Sequence, residues 1–570
     1  MTNWEICDIF NEIAELLEIL GENPFKARAY RNAARILESV SGDVRELVRD
    51  GRIKEIPGIG DALAAKITEL VTTGRLNYYE DLKQKVPPDV RQMLKIPGVG
   101  EKTVQLFLHN QITSLAELEA AAREGRLRAL PGIGKKTESE ILRGLVALQQ
   151  RQKRWLLNVA SMAVKEIGSY LADLDKVERV EAAGSFRRGQ ETVGDLDFVV
   201  ASSDPPAVIG WFASAPWVRE VVAEGDQKAT IITVWGLQVD IYVVPPHLFT
   251  STLHHFTGSK EHNVALRERA RQHGWKISEY GIVKEETTLY PANEEEFFQM
   301  LGLSYIPPEL REDRGEIQAA ELGELPSLVE AGDIRGDLHV HSKASDGANS
   351  LEELAQAAMA RGYQYLAVTD HSRSLAFTNG LTEERLLKQR EEIDRLNGEF
   401  QGFRLLAGSE VEILPDGRLD FDDRVLSQLD LVVASVHSGF RQNQETLNGR
   451  FEAVLKNEHV DIIGHPTGRL IGRRDPYDLD VGKVLELAAT TGTALEINAS
   501  PDRLDLNDNY VHQGRGLGVK FAINTDAHQA RYLDDAQYGV LTARRGWAQK
   551  QDIINTKPLG ELHKWLKNHG

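Results

Sequence analysis

The spacing of hydrophobic and polar positions divides the chain into three regions of different character. The first 150 residues read as helical, opening with MTNWEICDIFNEIAELLEIL, and they contain a repeat. EIPGIGDALAAKI (55–67), KIPGVGEKTVQLF (95–107) and ALPGIGKKTESEI (129–141) share a hydrophobic residue, Pro-Gly-hydrophobic-Gly, and then an amphipathic helix. Such glycines permit a tight turn and leave N–H groups open at a helix N-terminus, a geometry that receives a phosphate without reading a base. One copy would equally suit an ordinary Gly-capped turn, whereas three copies favour the phosphate grip. From 151 to 250 the pattern becomes mixed α/β: a long helix, RWLLNVASMAVKEIGSYLADL, then the strand-like VERVEAAGS, DLDFVVAS, TIITVWG and LQVDIYVVP. Residues 251–316 form a small α+β unit, and the charges, Gly and single Pro of 312–334 read as a linker. From 335 onward the strands DLHVH, YLAVTD, RLLAGSEVEI, LDLVVASVH, VDIIGH, TALEINAS and KFAINTDAH alternate with helical segments. Nearly all end in His, Asp, Glu or Asn, as expected where a βα barrel places its chemistry at strand carboxyl ends. Seven such units predict a slightly irregular barrel.

Composition narrows the picture only a little. A length of 570 residues calls for several domains, and 41% hydrophobic content is that of a globular protein. No apolar run approaches the roughly 20 residues that span a bilayer, and the N-terminus does not resemble a secretory signal. A single cysteine, Cys7, excludes intrachain disulfides and thiolate metal cages. A cytoplasmic protein with no membrane partner is expected. The net charge of −19 argues against a uniformly DNA-coating protein. Phosphate binding needs only local Lys and Arg, however, and carboxylates that hold cations also lower the sum.

Two constellations carry chemistry. In AAGSFRRGQETVGDLDFVV, Asp195 and Asp197 are two apart on an expected strand and so share a face, while Asp240 lies on another strand of the same sheet. Three converging carboxylates can hold two Mg²⁺ or Mn²⁺ ions, activating a 3′-hydroxyl and neutralising a triphosphate. Gly184 and Ser185 open a loop able to approach phosphate oxygens, and Arg188 adds charge. The second constellation begins with His339 and His341, which point the same way along one strand. Asp346, His371, Glu410, His437, His465, Asp526 and His528 follow, nearly all at strand ends. Imidazole and carboxylate suit Zn²⁺, Mn²⁺ or Fe²⁺. Nine candidate ligands exceed one tetrahedral or octahedral site, so a multinuclear centre acting on phosphorus is expected.

These strings resemble known families. The three Gly turns resemble the helix-hairpin-helix motif, implying DNA contacts at Gly58, Gly60, Gly98 and Gly100. GSFRRG followed by GDLD, with FTGS at 256–259, Asn263 and Arg267, is similar to family X DNA polymerases. That resemblance implies catalytic metal ligands at Asp195, Asp197 and Asp240. It places the triphosphate at Gly184, Ser185, Arg188 and Gly194, the nucleotide's sugar and base edge at Phe256, Gly258 and Asn263, and DNA at Arg267. His255 stands where vertebrate members have Tyr, which alters the sugar-facing contact. His254, His255 and His262 are expected to face DNA or nucleotide rather than to hold metal. FKARAYRNAARIL (25–37) resembles the family's lyase domain, with Lys66 at the Schiff-base position for 5′-deoxyribose phosphate removal. A lysine acts so only with a lowered pKa. Ala62 replaces one supporting lysine, and a solvated helix lysine is the other reading of Lys66. HVH, TDH, GHP and TDAH, with the Glu and His between them, resemble the PHP (polymerase and histidinol phosphatase) domain over 335–570. The resemblance implies a trinuclear Mn²⁺, Zn²⁺ or Fe²⁺ site formed by the nine residues. Arg373 either contacts phosphate there or sits on a surface loop.

The expected architecture is therefore multidomain α and α/β: a lyase-like helix-hairpin-helix domain (1–82), fingers with further repeats (83–150), a nucleotidyltransferase palm with a mixed sheet (151–250), a small thumb (251–316), a linker (317–334) and an irregular seven-stranded βα barrel (335–570). The expected function is gap-filling DNA synthesis in base excision repair, using dNTPs on gapped or nicked duplex, with Mn²⁺-dependent 3′–5′ exonuclease or 3′-end phosphodiesterase activity in the barrel. A monomer is expected. Two alternatives stay open: a protein that is mainly a DNA phosphoesterase, and a DNA-binding repair scaffold with weak polymerase activity. Template-independent nucleotidyl transfer is the rival for the palm alone.

Overall fold

The computed structural model describes residues 3–39, 44–49, 51–56, 58–94, 96, 99–152, 154–375 and 378–567. The chain divides into two compact units, Met1–Lys153 with Arg373–Gly380, and Arg154–Ser372 with Leu381–Gly570.

The first unit is helical: α1 (Asn3–Ile19), α2 (Pro24–Ser39), α3 (Val44–Arg49), α4 (Asp61–Thr73), α5 (Asn77–Lys85), α6 (Pro88–Met93), α7 (Glu101–His109), α8 (Leu115–Arg123) and α9 (Lys135–Gln152). The apolar stripes of these helices meet in one core that includes Phe10, Tyr30, Ile67, Phe107, Leu118 and Ile141. Gly60 and Gly100 cap α4 and α7, and an added Cβ would meet nothing within 4 Å at either. The backbone at both helix starts is thus open to a ligand. Gly58 has φ +92°, and a Cβ there would collide with Ile36 Cδ1, so only glycine fits the turn. Gly98 lies outside the described residues.

In the second unit a palm sheet comes first, from β1 (Trp155–Leu156), β2 (Arg179–Ala182), β3 (Thr192–Val193), β4 (Asp195–Ala201), β5 (Val218–Glu224), β6 (Lys228–Thr233) and β7 (Gln238–Val244). Strands β1 and β3 pair separately, and the main sheet runs β2-β4-β7-β6-β5 with β4 and β7 parallel. Along β4 the chain alternates. Leu196, Phe198 and Val200 pack with α10 (Leu157–Ala172) and with Val208 and Phe212 of a later helix, Pro205–Ala213. Val199 and Ala201 face Phe249 and Leu253, so Asp195 and Asp197 lie on that second face. Strand β5 escapes the apolar pattern because it is an almost wholly exposed edge bearing charged residues.

The thumb combines α11 (Phe249–Thr257) and α12 (Lys260–Gln272) with the antiparallel β8 (Trp275–Ser278), β9 (Gly281–Lys284) and β10 (Thr287–Leu289). Its core gathers Leu266, Phe297, Phe298 and Leu310. Here the expectation for two histidines is corrected. His254 is 2% exposed and stacks on Phe297 with ring centres 4.1 Å apart, and His262 is fully buried. Neither faces DNA or nucleotide. His262 Nδ1 hydrogen-bonds Glu316 Oε1 at 2.6 Å, and Glu316, also fully buried, starts the helix Glu316–Leu322 inside the span expected to be a linker. Partnered charge lets that span pack despite its polar composition.

Seven parallel strands follow: β11 (Gly336–Val340), β12 (Tyr365–Val368), β13 (Arg404–Glu412), β14 (Leu431–Ser435), β15 (Ile462–Ile463), β16 (Ala494–Asn498) and β17 (Phe521–Asn524). They pair in chain order, and one bridge, Val340 to Ala527, joins the last segment to the first and nearly closes the barrel. Leu504 and Tyr538 of the barrel join the palm core, and Trp547 joins the thumb core.

Candidate active sites

The parallel pairing of β4 with β7 sets Asp197 directly opposite Asp240. Asp195 precedes them on the same face and is exposed, whereas Asp240 is 6% exposed. Asp240 accepts from Thr230 Oγ1 at 2.5 Å and Gln238 Nε2 at 2.9 Å, with Lys228 Nζ 3.3 Å away. Burial, helped by the neighbouring Asp195 and Asp240 charges, pushes the Asp197 carboxyl up to about 7. Such crowding of carboxylates is what divalent cations relieve. Gly184 has φ +62°, and a Cβ there would collide with Asp197 Oδ2. A backbone loop and a carboxylate therefore approach as closely as the chain permits.

A cavity of about 450 Å³ opens beside these carboxylates. It is lined by Asp195 and Asp197, and by Gly184, Ser185, Arg188 and Gly194 of the palm. From the thumb come His255, Phe256, Gly258, Asn263 and Arg267. The structure thus brings the expected palm and nucleotide set to one cavity, with Asp240 opposite Asp197 behind it. Asn263 Nδ2 donates to the His255 carbonyl at 2.8 Å, and Phe256 stacks on Tyr242 at 3.6 Å between ring centres. Arg154 and Lys260 line the same cavity and were not singled out, since neither belongs to a motif.

In the barrel, eight of the nine expected residues fall into three overlapping groups whose ligand atoms lie within 4.8 Å of one another. These are His341, Asp346, His371 and His528; His339, His341 and Asp526; and His371, Glu410 and His437. The ninth, His465, has Nε2 3.0 Å from Glu410 Oε1. Glu410 is the hub, with oxygens 2.7 Å from His371 Nδ1, 3.3 Å from His437 Nε2 and 3.4 Å from His339 Nε2. The histidine charges outweigh the cost of burial and hold the Glu410 carboxyl well below its ordinary range. Despite these short separations, the buried His339 Nε2, both ring nitrogens of His341, His371 Nδ1 and Glu410 Oε2 make no well-aligned hydrogen bond. Buried polar atoms are rarely left so, and these are aimed at one another as ligands of shared cations would be. His465 and Asp526 also adopt left-handed backbone, φ +26° and +55°, a strain typical of functional sites.

A surrounding layer was missed. Glu496 bonds His339 Nδ1 at 2.7 Å, and Glu412 bonds His437 Nδ1 at 3.0 Å, fixing which ring nitrogen faces inward. Arg503 Nε lies 3.6 Å from Asp526 Oδ2. The strand-end carboxylates were visible in the sequence, but their pairing across the barrel was not. In the helical unit Lys66 is half-buried, with Nζ 5.2 Å from the centre of the Tyr78 ring, and Lys26 Nζ lies 5.1 Å from the same ring.

Fold and sites together define a class: a palm with paired acidic strands joined to a histidine-rich barrel, a design that implies divalent metals. Models of four families match: a helix-hairpin-helix domain over 1–76, a SAM-like helix-hairpin-helix tandem over 90–146, a DNA polymerase beta thumb over 252–312 and a PHP domain over 337–500. The chain is 41% identical to the DNA polymerase/3′-5′ exonuclease PolX of Bacillus subtilis, over 99% of each sequence. It is 26% identical to DNA polymerase lambda of Rattus norvegicus over 53% of this chain and 56% of that one. A probable phosphatase of Syntrophotalea carbinolica is 34% identical over 38% of this chain and 90% of its own length. The chain belongs to the family X DNA polymerases that carry a PHP domain.

Proposed function

We propose that the palm fills short gaps in duplex DNA by template-directed nucleotidyl transfer, and that the barrel removes nucleotides from 3′ ends. The observation that carries this is the end-to-end 41% identity to a DNA polymerase/3′-5′ exonuclease. Asp195, Asp197 and Asp240 would hold Mg²⁺ or Mn²⁺ at the palm, and the nine barrel residues would hold three ions, Mn²⁺ foremost. Bound there, the ions supply Lewis-acid charge to phosphoryl oxygens and a nucleophile at neutral pH. The protein's own residues position the reactants. The Gly184–Ser185 backbone meets the triphosphate, Arg188 adds a cation, and Phe256 and His255 form the thumb wall against sugar and base. Gly60 and Gly100 present helix N-termini to duplex phosphates, so binding should weaken steeply with salt. In the barrel, Glu496 and Glu412 fix the rings of His339 and His437. The setting that fits is base excision repair in the cytoplasm.

Labelled gapped DNA incubated with Mn²⁺ should lengthen when dNTPs are present and shorten when they are absent. A product that never lengthens would sink the polymerase assignment. A second reading, with hydrolysis as the main activity, is favoured by the barrel's likeness to a probable phosphatase over 90% of that protein. Negligible extension at physiological dNTP concentration would select it.

Lyase chemistry is a separate proposal. Borohydride should trap the chain on DNA bearing a 5′-deoxyribose phosphate, and Lys66→Ala should lose the adduct. If the parent protein gives no adduct, Lys66 is an ordinary helix-surface lysine.

A further inference from the structure

A cluster of buried charge lies where palm, thumb and barrel meet. Arg188, whose side chain lines the nucleotide cavity, bonds through Nε to Glu312 Oε1 at 3.0 Å and through Nη1 to the Thr257 carbonyl at 2.6 Å. The same Glu312 oxygen accepts from Gln190 Nε2 at 2.6 Å and from Arg545 Nη1 at 2.8 Å. Arg545 Nη1 also donates to the main-chain oxygen of Arg188 at 2.8 Å. Its Nη2 pairs with Asp508 Oδ2 at 2.8 Å. Arg545 ends the helix Ala536–Arg545 and Asp508 begins the helix Asp508–Leu517, so both belong to the barrel, and each charge suits its helix terminus.

These side chains are shielded from water: Arg545 is 5% exposed, and Arg188, Glu312 and Asp508 are 13%, 14% and 14%. Arg314 Nη2 also reaches Asp508 Oδ2, at 3.1 Å. Within this cluster three guanidinium groups thus face two carboxylates, and beyond it Arg188 also acts on the Asp197 carboxyl. Glu312 is shared between Arg545 and Arg188, so it orients Arg188 without cancelling the charge that Arg188 can offer an anion. Because Arg545 bonds both Glu312 and the Arg188 carbonyl, it fixes the side chain and the backbone of one residue together.

We infer that Arg545, a barrel residue, is a positioning residue for the incoming nucleoside triphosphate, acting by holding Arg188 in place at the palm. This role rests on the polymerase reading above. Three parts of the chain meet in it, so the barrel is a structural component of the nucleotide site as well as the seat of its own chemistry.

The test is steady-state incorporation on gapped DNA by the full chain with dNTP varied, alongside hydrolysis of single-stranded 3′ ends. Arg545→Ala should raise the dNTP KM about tenfold, lower kcat less and leave hydrolysis unchanged, with Arg545→Lys restoring part of the KM. In an Arg188→Ala background, adding Arg545→Ala should change KM no further, because its effect passes through Arg188. If Arg545→Ala does not fold, Glu312→Gln takes its place, with the same rise in KM and the same silence beside Arg188→Ala. An unchanged KM in a folded variant, or two effects that multiply independently, would overturn the role of Arg545. A parent protein that incorporates no dNTP at any concentration would instead overturn the polymerase reading.

Discussion

Replacing Asp197 with Ala should lower dNTP incorporation on gapped duplex by about 10³-fold or more and leave 3′-end shortening at the parent rate. Asp197 sits opposite Asp240 on adjacent parallel strands and shares a face with Asp195, so it would hold a divalent cation together with either neighbour. Its carboxyl is pushed up to about 7, chiefly by burial and then by the Asp195 and Asp240 charges, and a cation beside it would relieve that crowding. The truncation adds no bulk, and it relieves the close approach to Gly184, so the fold should survive it. Primer extension and exonuclease assays on one preparation check both halves of the expectation. Full incorporation by the variant would remove Asp197 from the chemistry.

Glu410→Gln should produce the reverse pattern: hydrolysis down at least about 100-fold, extension retained, and less transition metal bound to the purified chain. Besides His371, His437 and His339, the Glu410 oxygens lie 3.0 Å from His465 Nε2 and 3.6 Å from His341 Nε2. An amide keeps the shape but replaces one acceptor oxygen with a donor nitrogen that cannot ligate. It also removes the negative charge that His437, His339 and His371 face. Metal analysis of the variant beside the parent gives a readout independent of activity. Unchanged metal content would show that Glu410 is not a shared ligand.

Much of this was legible in the sequence because the chemistry sits on regular elements. Two-residue spacing put Asp195 and Asp197 on one face, and polar residues at strand ends marked the barrel's mouth. The Pro-Gly-hydrophobic-Gly turns announced the starts of α4 and α7. What stayed hidden depends on partners far apart in the chain. His262 was expected to face DNA or nucleotide because sequence shows its polarity but not Glu316, 54 positions away. Glu412 and Glu496 were strand residues with no motif of their own, and their roles come from rings on other strands. Arg545 was one of several arginines near a helix end, and only the fold carries it to Glu312. Strand β5 was missed because an exposed edge has no buried face to impose alternation.

Among the described residues, one isolated strand bridge, Val340 to Ala527, joins the barrel's last segment to its first. His339 and His341 stand on one side of that joint, and Asp526 and His528 on the other, with His341 Nε2 3.1 Å from Asp526 Oδ1. Ions held by this quartet would act as rivets across the hoop, tying the first strand to the end of the last. Demetallation would then loosen the hoop at its joint as well as silence its chemistry. Amides near 340 and 527 should exchange with solvent sooner than those of the inner strands once a chelator has stripped the protein.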